Sequence, residues 1–166
     1  MTLLDAPAFD AARDRRNTTM LIGGAGLLVV LFIASWFVAG RPVDWPWRWW
    51  THFRGRMTAN EFLDAVEQND LQKAYGIWLH DPHWQQHPGS DASYTFQRFQ
   101  QDWSPTSSEN QYGAIKSHQI VAARLSGNVL VMGIRINGLQ SNALFLDYDP
   151  RMHTLGFSPV ELYLGP

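Results

Sequence analysis

Hydrophobic and polar residues alternate in three different ways along this chain. A run from Thr18 to Gly40, TTMLIGGAGLLVVLFIASWFVAG, contains no charged side chain. Residues 58–103 then place apolar side chains three and four positions apart, which is typical of helices, and residues 114–157 alternate with a period of two, which is typical of strands. The order predicts one apolar helix, then a helical segment, then a sheet.

The uncharged run is long enough to cross a membrane as a helix. About 20 apolar residues with a rise of 1.5 Å each span a hydrocarbon core of roughly 30 Å. A cleaved signal peptide would have a shorter apolar segment with small residues at its cleavage site, which Val38 and Gly40 match only loosely. The pattern predicts a short tail over 1–17 and one uncleaved transmembrane helix over 18–40.

Small residues occur together within this predicted span. Gly23, Gly24 and Gly26 form the sequence GGAG, and small side chains let two helices approach closely in lipid. These glycines therefore form a candidate helix-pairing face. The alternative is that they only reflect the general abundance of glycine in membrane helices.

Tryptophan and arginine are concentrated in residues 41–57, directly after the predicted span. Indole rings favour the headgroup region of a bilayer, and arginine pairs with lipid phosphate. We interpret this segment as a Trp/Arg collar, and favour it over a protein contact or a nucleic-acid stacking platform because it adjoins the span. Its predicted membrane-interface residues are Arg41, Trp45, Trp47, Arg48, Trp49 and Trp50.

The arginines also indicate an orientation. Arg13, Arg15 and Arg16 lie close before the span, whereas the arginines of the collar are spread out and interspersed with tryptophan. Positive charge close to a span favours the inner side of the membrane. We therefore expect a single-pass protein of the cell inner membrane, with its N-terminus inside and its domain on the periplasmic side.

Three helices are predicted between residues 58 and 103. The first begins at Thr58, where Thr58 and Glu61 have the spacing of a capping box. The second begins near Asp70, and the third covers the short segment SYTFQRFQQDW. The side chains predicted to face the core are Phe62, Val66, Leu71, Tyr75, Trp78, Phe99 and Trp103.

Four antiparallel strands are predicted after these helices. Turn sequences separate them at Ser126-Gly127-Asn128, at Asn137-Gly138 and at DPRM, residues 149–152. The last strand is predicted within HTLGFSPVELYL. Core side chains of the strands should be Val131, Ile134, Leu144, Leu146, Leu155 and Phe157. Helices followed by a strand meander define an α+β domain over about 58–166.

The helical segment resembles a known family. FLDAVEQNDLQKAYGIW, residues 62–78, is similar to the paired opening helices of small membrane-anchored bacterial domains of the NTF2-like superfamily. The resemblance implies a cone in which helices pack into the concave face of a curved four-stranded sheet, with Tyr75, Asp102, Asp147 and Tyr148 as possible pocket groups. Adjacent strand residues face opposite sides, so only one of Asp147 and Tyr148 can point inward. The resemblance implies no particular activity.

The stretch HDPHWQQHP, residues 80–88, is the most histidine-rich part of the chain. If Asp81 caps a helical turn, His83 and His87 share one face and could bind zinc, provided that His80, Asp91 or Asp102 adds a third ligand. The glutamate of the HExxH motif is missing. We favour a capped turn with Trp84 packed inward, ended by Pro88-Gly89, and predict no bound metal or other cofactor.

Charge and missing motifs narrow the functional classes. Residues 58–166 carry 6 basic and 11 acidic side chains, a net charge of −5, which disfavours nucleic acid as a partner. The chain has no cysteine, and GxSxG, P-loop and dinucleotide motifs are missing from the sequence. We therefore expect a non-enzymatic, membrane-tethered binding or assembly module that contacts the bilayer and another membrane or envelope protein.

Two alternative functions stay open at this point, as does the oligomeric state. The cone could carry a small apolar ligand. It could also be an enzyme pocket in which a buried carboxylate acts as a base, and Asp102, Asp147 and Tyr75 are then the candidate catalytic residues.

Overall fold

The computed structural model describes residues 11–87 and 94–164, without the side chains of residues 11 and 140–142. The chain divides into two compact units, with the division between Arg41 and Pro42.

The first unit contains a single long helix, α1, over Ala11–Val38. It is long and apolar enough to cross a membrane, in agreement with the predicted span, and it begins before Thr18. Gly40 ends it with a φ of 84°, while its N–H donates to the carbonyl of Phe37 over 3.0 Å. Glycine suits this position because a left-handed residue after a helix satisfies the last free carbonyls.

The second unit opens with a 3₁₀ turn over Pro46–Arg48 and continues directly into α2, Trp49–Glu67. The predicted helix start at Thr58 is therefore wrong, and residue 58 lies in the middle of α2. The buried face of the helix extends back through Gly55 and His52. Because neither residue contributes to an apolar pattern, the pattern in the sequence begins several residues after the true start of α2. Pro46 in the first turn is the sequence signal that fits the observed start.

Gly55 brings α2 close to the sheet. A Cβ atom at this position would lie 2.7 Å from Cδ2 of Leu130 and 3.0 Å from Cδ1 of Tyr148. At the start of α2 the chain is held as well, because the indole of Trp49 donates to the carbonyl of Asp44 over 2.8 Å. The C-terminal part of the collar is consequently packed into the domain as part of a helix.

Two shorter helices follow, as predicted. Asp70 caps α3, Leu71–Trp78, by accepting from the N–H of Lys73 over 3.1 Å. Thr95 caps α4, Phe96–Trp103, by accepting from the N–H of Arg98 over 3.3 Å. Asn69 joins α2 to α3 in a left-handed conformation with a φ of 57°, which asparagine tolerates well.

The sheet contains β1 (His118–Ser126), β2 (Val129–Ile136), β3 (Leu139–Tyr148) and β4 (Leu155–Phe157), antiparallel and in the order 1-2-3-4. The predicted α+β architecture, with helices packed on a four-stranded antiparallel sheet, is confirmed. The fourth strand is only three residues long. Beyond it the chain crosses the outer face of the sheet, where the carbonyl of Leu164 accepts from the guanidinium of Arg135 over 2.9 Å.

The core lies between the helices and the inner face of the sheet. Two predicted core residues are less buried than expected, since Leu71 is partly exposed and Phe157 is 46% exposed. Val131 is buried, but it pairs with Asp147 on the outer face. The other predicted core side chains are buried: Phe62, Val66, Tyr75, Trp78, Phe99, Trp103, Ile134, Leu144, Leu146 and Leu155.

Aromatic rings occupy the interior. Phe62 lies at its centre, with ring centroids 4.9 Å from Trp103, 5.3 Å from Trp78 and 6.1 Å from Phe99. Such edge-to-face contacts add stabilisation beyond the burial of area. Aromatic side chains thus make up much of the core between the helices and the sheet.

Candidate functional site: a groove between two helices

A groove of about 710 Å³ lies between α2 and α3 on the surface of the second unit. One wall is α2, where Arg54, Met57, Thr58 and Glu61 are spaced by three or four residues and so share one face. The opposite wall is α3, which contributes Gln72, Lys73, Gly76 and Ile77. We call this feature the α2/α3 groove.

The end of the α2/α3 groove is formed by the histidine-rich stretch. Pro82, Trp84 and Gln85 line it, and His80 joins them from the end of α3. The ring of Trp84 lies edge-on against Tyr75, with a centroid distance of 4.8 Å. The predicted turn with an inward-packed Trp84 is confirmed, and this turn forms a wall of the groove.

Gly76 allows this turn to fold back onto α3. A Cβ atom here would meet the carbonyl oxygen of Asp81 at 3.1 Å and Cδ1 of Trp84 at 3.5 Å. The N–H of Asp81 donates to the carbonyl of Gly76 over 2.8 Å, while His80 takes a left-handed φ of 54°. This is a Schellman ending, which aims the chain back across the last turn of α3.

Asp81 holds two histidines of the turn, His83 through its backbone N–H and His87 through its imidazole. The carboxylate of Asp81 accepts from the N–H of His83 over 2.9 Å, and its other oxygen lies 2.6 Å from Nδ1 of His87. The hydrogen bond with His87 lowers the pKa of Asp81. Since the turn over Trp84–Gln86 is a 3₁₀ helix, the α-helical spacing predicted for His83 and His87 is not formed.

Among the described residues, no third side chain completes a metal site with His83 and His87 at this turn. Asp91, like Pro88 and Gly89, lies outside the described residues. Asp102 pairs with the guanidinium of Arg98 over 2.9 Å. The prediction that no metal binds at this turn stays a prediction.

Charges of both signs surround the apolar part of the α2/α3 groove. Arg54 and Lys73 are cationic, and Glu61 and Asp70 are anionic. Asp70 is engaged as the cap of α3. Arg54, Lys73 and Glu61 form no ion pair with any residue that the structure describes. Their charges can pair with a bound partner.

Tyr94 links the candidate catalytic residues Tyr75 and Asp102 through hydrogen bonds. The buried hydroxyl of Tyr75 donates to the carbonyl of Tyr94 over 2.6 Å. The hydroxyl of Tyr94 donates in turn to Asp102 over 2.9 Å. Burial, followed by the neighbouring Asp102, raises the pKa of Tyr94. These contacts hold the segment before α4 against α3.

Asp147, the third candidate catalytic residue, lies in β3. Asp147 and Tyr148 face opposite sides of β3, as strand geometry requires. Tyr148 points into the core and its hydroxyl lies 2.6 Å from Nδ1 of His153. Asp147 is on the outer face, where burial, together with Asp149, raises its pKa. The structure therefore does not bring Tyr75, Asp102 and Asp147 into one site.

The Trp/Arg collar presents exposed indoles. Trp45 and Trp47 stack with ring centroids 5.1 Å apart and are 68% and 73% exposed, and Trp50 is 65% exposed. Trp49 is half-buried and points towards Asp44. Among the collar arginines, Arg48 is exposed in the second unit.

Within the first unit, Arg41 and the predicted helix-pairing glycines are also exposed. The guanidinium of Arg41 lies 4.9 Å from the ring centroid of Phe37. A Cβ atom placed at Gly23, Gly24 or Gly26 would meet no atom within 4 Å. Within the described part of the first unit, no side chain packs against these glycines.

Comparison with protein-family models, curated proteins and solved structures finds no match to this chain. Sequence patterns missed the α2/α3 groove because its α2 wall precedes and straddles the predicted helix start. They also missed His52 and Gly55, for which the buried periodicity of a longer α2 was the only sequence signal. His118 lies in β1 and was missed because its local sequence offers no such signal.

Proposed function

We propose that this protein is a non-enzymatic, membrane-tethered binding module that contacts another membrane or envelope protein through the α2/α3 groove. In this proposal α1 anchors it in the cell inner membrane and an NTF2-like domain lies on the periplasmic side. The main support for the proposal is that α2, Trp49–Glu67, is one continuous helix. It contains both Trp50 of the collar and the groove residues Arg54, Met57 and Glu61.

The continuous helix sets how far the groove can lie from the collar. From Trp50 to Glu61 the helix rises by about 17 Å. A collar at the lipid interface would thus keep the whole α2 wall of the groove close to the bilayer. A short rigid tether raises the effective concentration of partners in the same membrane and excludes distant ones.

The lining of the groove suits an amphipathic helix or a similar segment. Met57, Ile77 and Trp84 offer apolar contacts, and Arg54, Lys73 and Glu61 flank them with charge. A helix that lies in a groove between two helices is recognised in this way, by apolar anchors and complementary charges at the rim. The aromatic filling of the domain interior also supports binding at the surface.

The second candidate is a carrier of a small apolar ligand. A volume of about 710 Å³ falls within the range of roughly 300–1,000 Å³ that is common for small-molecule sites. In this alternative the ligand would occupy the α2/α3 groove.

Photocrosslinking in native membranes tests the proposal. A photoreactive residue at Gln72, in the groove, is expected to give one discrete protein adduct. The same residue at Gln119, exposed on β1, is the matched control and should give none. The charge reversal Lys73→Glu should remove most of the adduct without unfolding the domain, since this side chain is exposed.

The result that contradicts the proposal is equal labelling at Gln72 and Gln119. A small molecule labelled from Gln72, with no protein adduct, would favour the carrier.

A further inference from the structure

Three side chains with metal-binding atoms meet where the end of α2 lies against the start of β1. Asp64 and Glu67 are in the last turn of α2, and His118 is the first residue of β1. One donor atom from each lies within 4.8 Å of the other two. Nδ1 of His118 is 2.6 Å from Oε1 of Glu67. This cluster is separate from the α2/α3 groove, which uses other residues of α2.

A fourth residue orients the imidazole. Nε2 of His118 lies 3.2 Å from Oδ1 of Asn60, one turn before Asp64 on the same helix. If Nε2 carries the proton and donates it to Asn60, the lone pair of Nδ1 faces Glu67 and Asp64. Histidines that bind metals are held in this way, because a carbonyl acceptor on the second nitrogen selects the tautomer.

The electrostatics of the helix end favour a cation. The last turn of α2 contains Asp64 and Glu67 but no basic residue. The C-terminus of a helix carries partial negative charge, so two carboxylates there are unfavourable without a compensating positive charge. Within the described residues neither acid pairs with lysine or arginine.

We propose that Asp64, Glu67 and Nδ1 of His118 bind a divalent transition-metal ion of the zinc type. Two carboxylates and an imidazole are a ligand set for zinc, whereas magnesium and calcium prefer oxygen ligands alone. With bonds of about 2.0–2.1 Å, tetrahedral donors lie about 3.3 Å apart. Glu67 and His118 would separate slightly around the ion, and the exposed Asp64 would rotate inwards.

Such an ion ties the end of α2 to an edge strand. His118 and Glu67 are 51 residues apart in sequence, so the bond would close a long loop. The ion binds the folded state and stabilises it by mass action. The proposed role is structural, at a site distinct from the histidine-rich turn.

The test uses the full chain in detergent, first stripped with a chelator and then titrated with zinc by calorimetry. We expect one zinc ion per chain. At zinc concentrations about 100-fold above Kd, the melting midpoint should rise by about 5–10 °C. Asn60→Ala, which removes the orienting carbonyl, should weaken zinc binding by roughly 10- to 100-fold.

Asp64→Asn separates a metal site from a simple ion pair. Asp64 is exposed, so this variant should fold normally and yet lose stoichiometric zinc binding. His118→Ala should lose it too, and the double variant His83→Ala/His87→Ala is the matched control that should keep it. The proposal is overturned if zinc uptake is not saturable, if it survives Asp64→Asn, if the double variant abolishes it, or if magnesium or calcium binds equally well.

Discussion

His52 shows how a single polar residue is accommodated in α2. It is only 1% exposed, and its Nε2 atom lies 2.6 Å from a carboxylate oxygen of Asp44. Burial lowers the pKa of His52, the Asp44 carboxylate opposes this shift, and the nearby Arg56 adds to it. The balance favours a neutral imidazole that donates to Asp44 in the folded protein.

This balance predicts a dependence of stability on pH. Because burial holds the folded-state pKa of His52 below its ordinary value of 6.5, the unfolded chain binds more protons between these two values. The contribution of His52 to the free energy of unfolding should be complete above pH 6.5 and decrease as the pH falls below it. Chemical denaturation at a series of pH values between about 5 and 8 measures it.

The variant His52→Gln provides the comparison. A glutamine amide can still donate to Asp44 but does not titrate, so the difference in stability from the wild type should change with pH in this window. His83→Gln, on the exposed turn, is the control and should follow the wild-type profile. A constant difference between His52→Gln and the wild type would contradict the prediction.

At the scale of elements, α2 determines where the folded domain begins. Its N-terminal half covers Leu130 and Tyr148 through the close approach of Gly55. Burying one such large side chain contributes about 1.5–3 kcal/mol. A fragment of residues 42–166 should therefore unfold cooperatively, and one of residues 58–166 should lose about 2 kcal/mol or more of its free energy of unfolding.

Urea denaturation of the two fragments checks this prediction. Gly55→Val in the longer fragment is an independent test of the same contact, because its added methyl groups would displace α2 from the sheet. Glu61→Ala, exposed on the same helix, should change stability by less than about 0.5 kcal/mol. Equal stability of the two fragments would mean that residues 42–57 do not belong to the domain.

For the whole molecule, the Trp/Arg collar is the surface most suited to lipid. Trp45, Trp47 and Trp50 remain exposed although the unit has a well-packed aromatic core. Large exposed indoles favour the interface between headgroups and hydrocarbon. The 42–166 fragment, which lacks α1, should therefore bind vesicles that contain anionic lipid, and its tryptophan emission should shift to shorter wavelength.

The variant Trp47→Ala/Trp50→Ala should weaken vesicle binding at least tenfold if indole burial drives it. Tyr163→Ala removes another aromatic ring, 87% exposed and distant from the collar in sequence, and should have no effect. If the tryptophan substitutions leave vesicle binding unchanged, the collar does not bind at the lipid interface.

Local sequence patterns determined much of the secondary structure of this protein. The uncharged run predicts the long apolar helix because membrane crossing depends on composition over a continuous segment. Asp70 predicts the start of α3 because a cap acts within one helical turn. The turns at Gly127 and at Asn137-Gly138 predict the strand meander for the same reason, since few residues adopt their left-handed conformations.

Tertiary structure decided the features on which the proposals depend. Gly55 and His52 belong to a helix face only because Leu130, Tyr148 and Asp44 lie against it, so no apolar pattern marks them. The α2/α3 groove exists because a left-handed residue at the end of each helix, Asn69 after α2 and His80 after α3, turns the chain back on itself. His118 and Glu67 are 51 residues apart in sequence, and the packing of α2 on the sheet brings them together. The local sequence around either residue does not predict that packing.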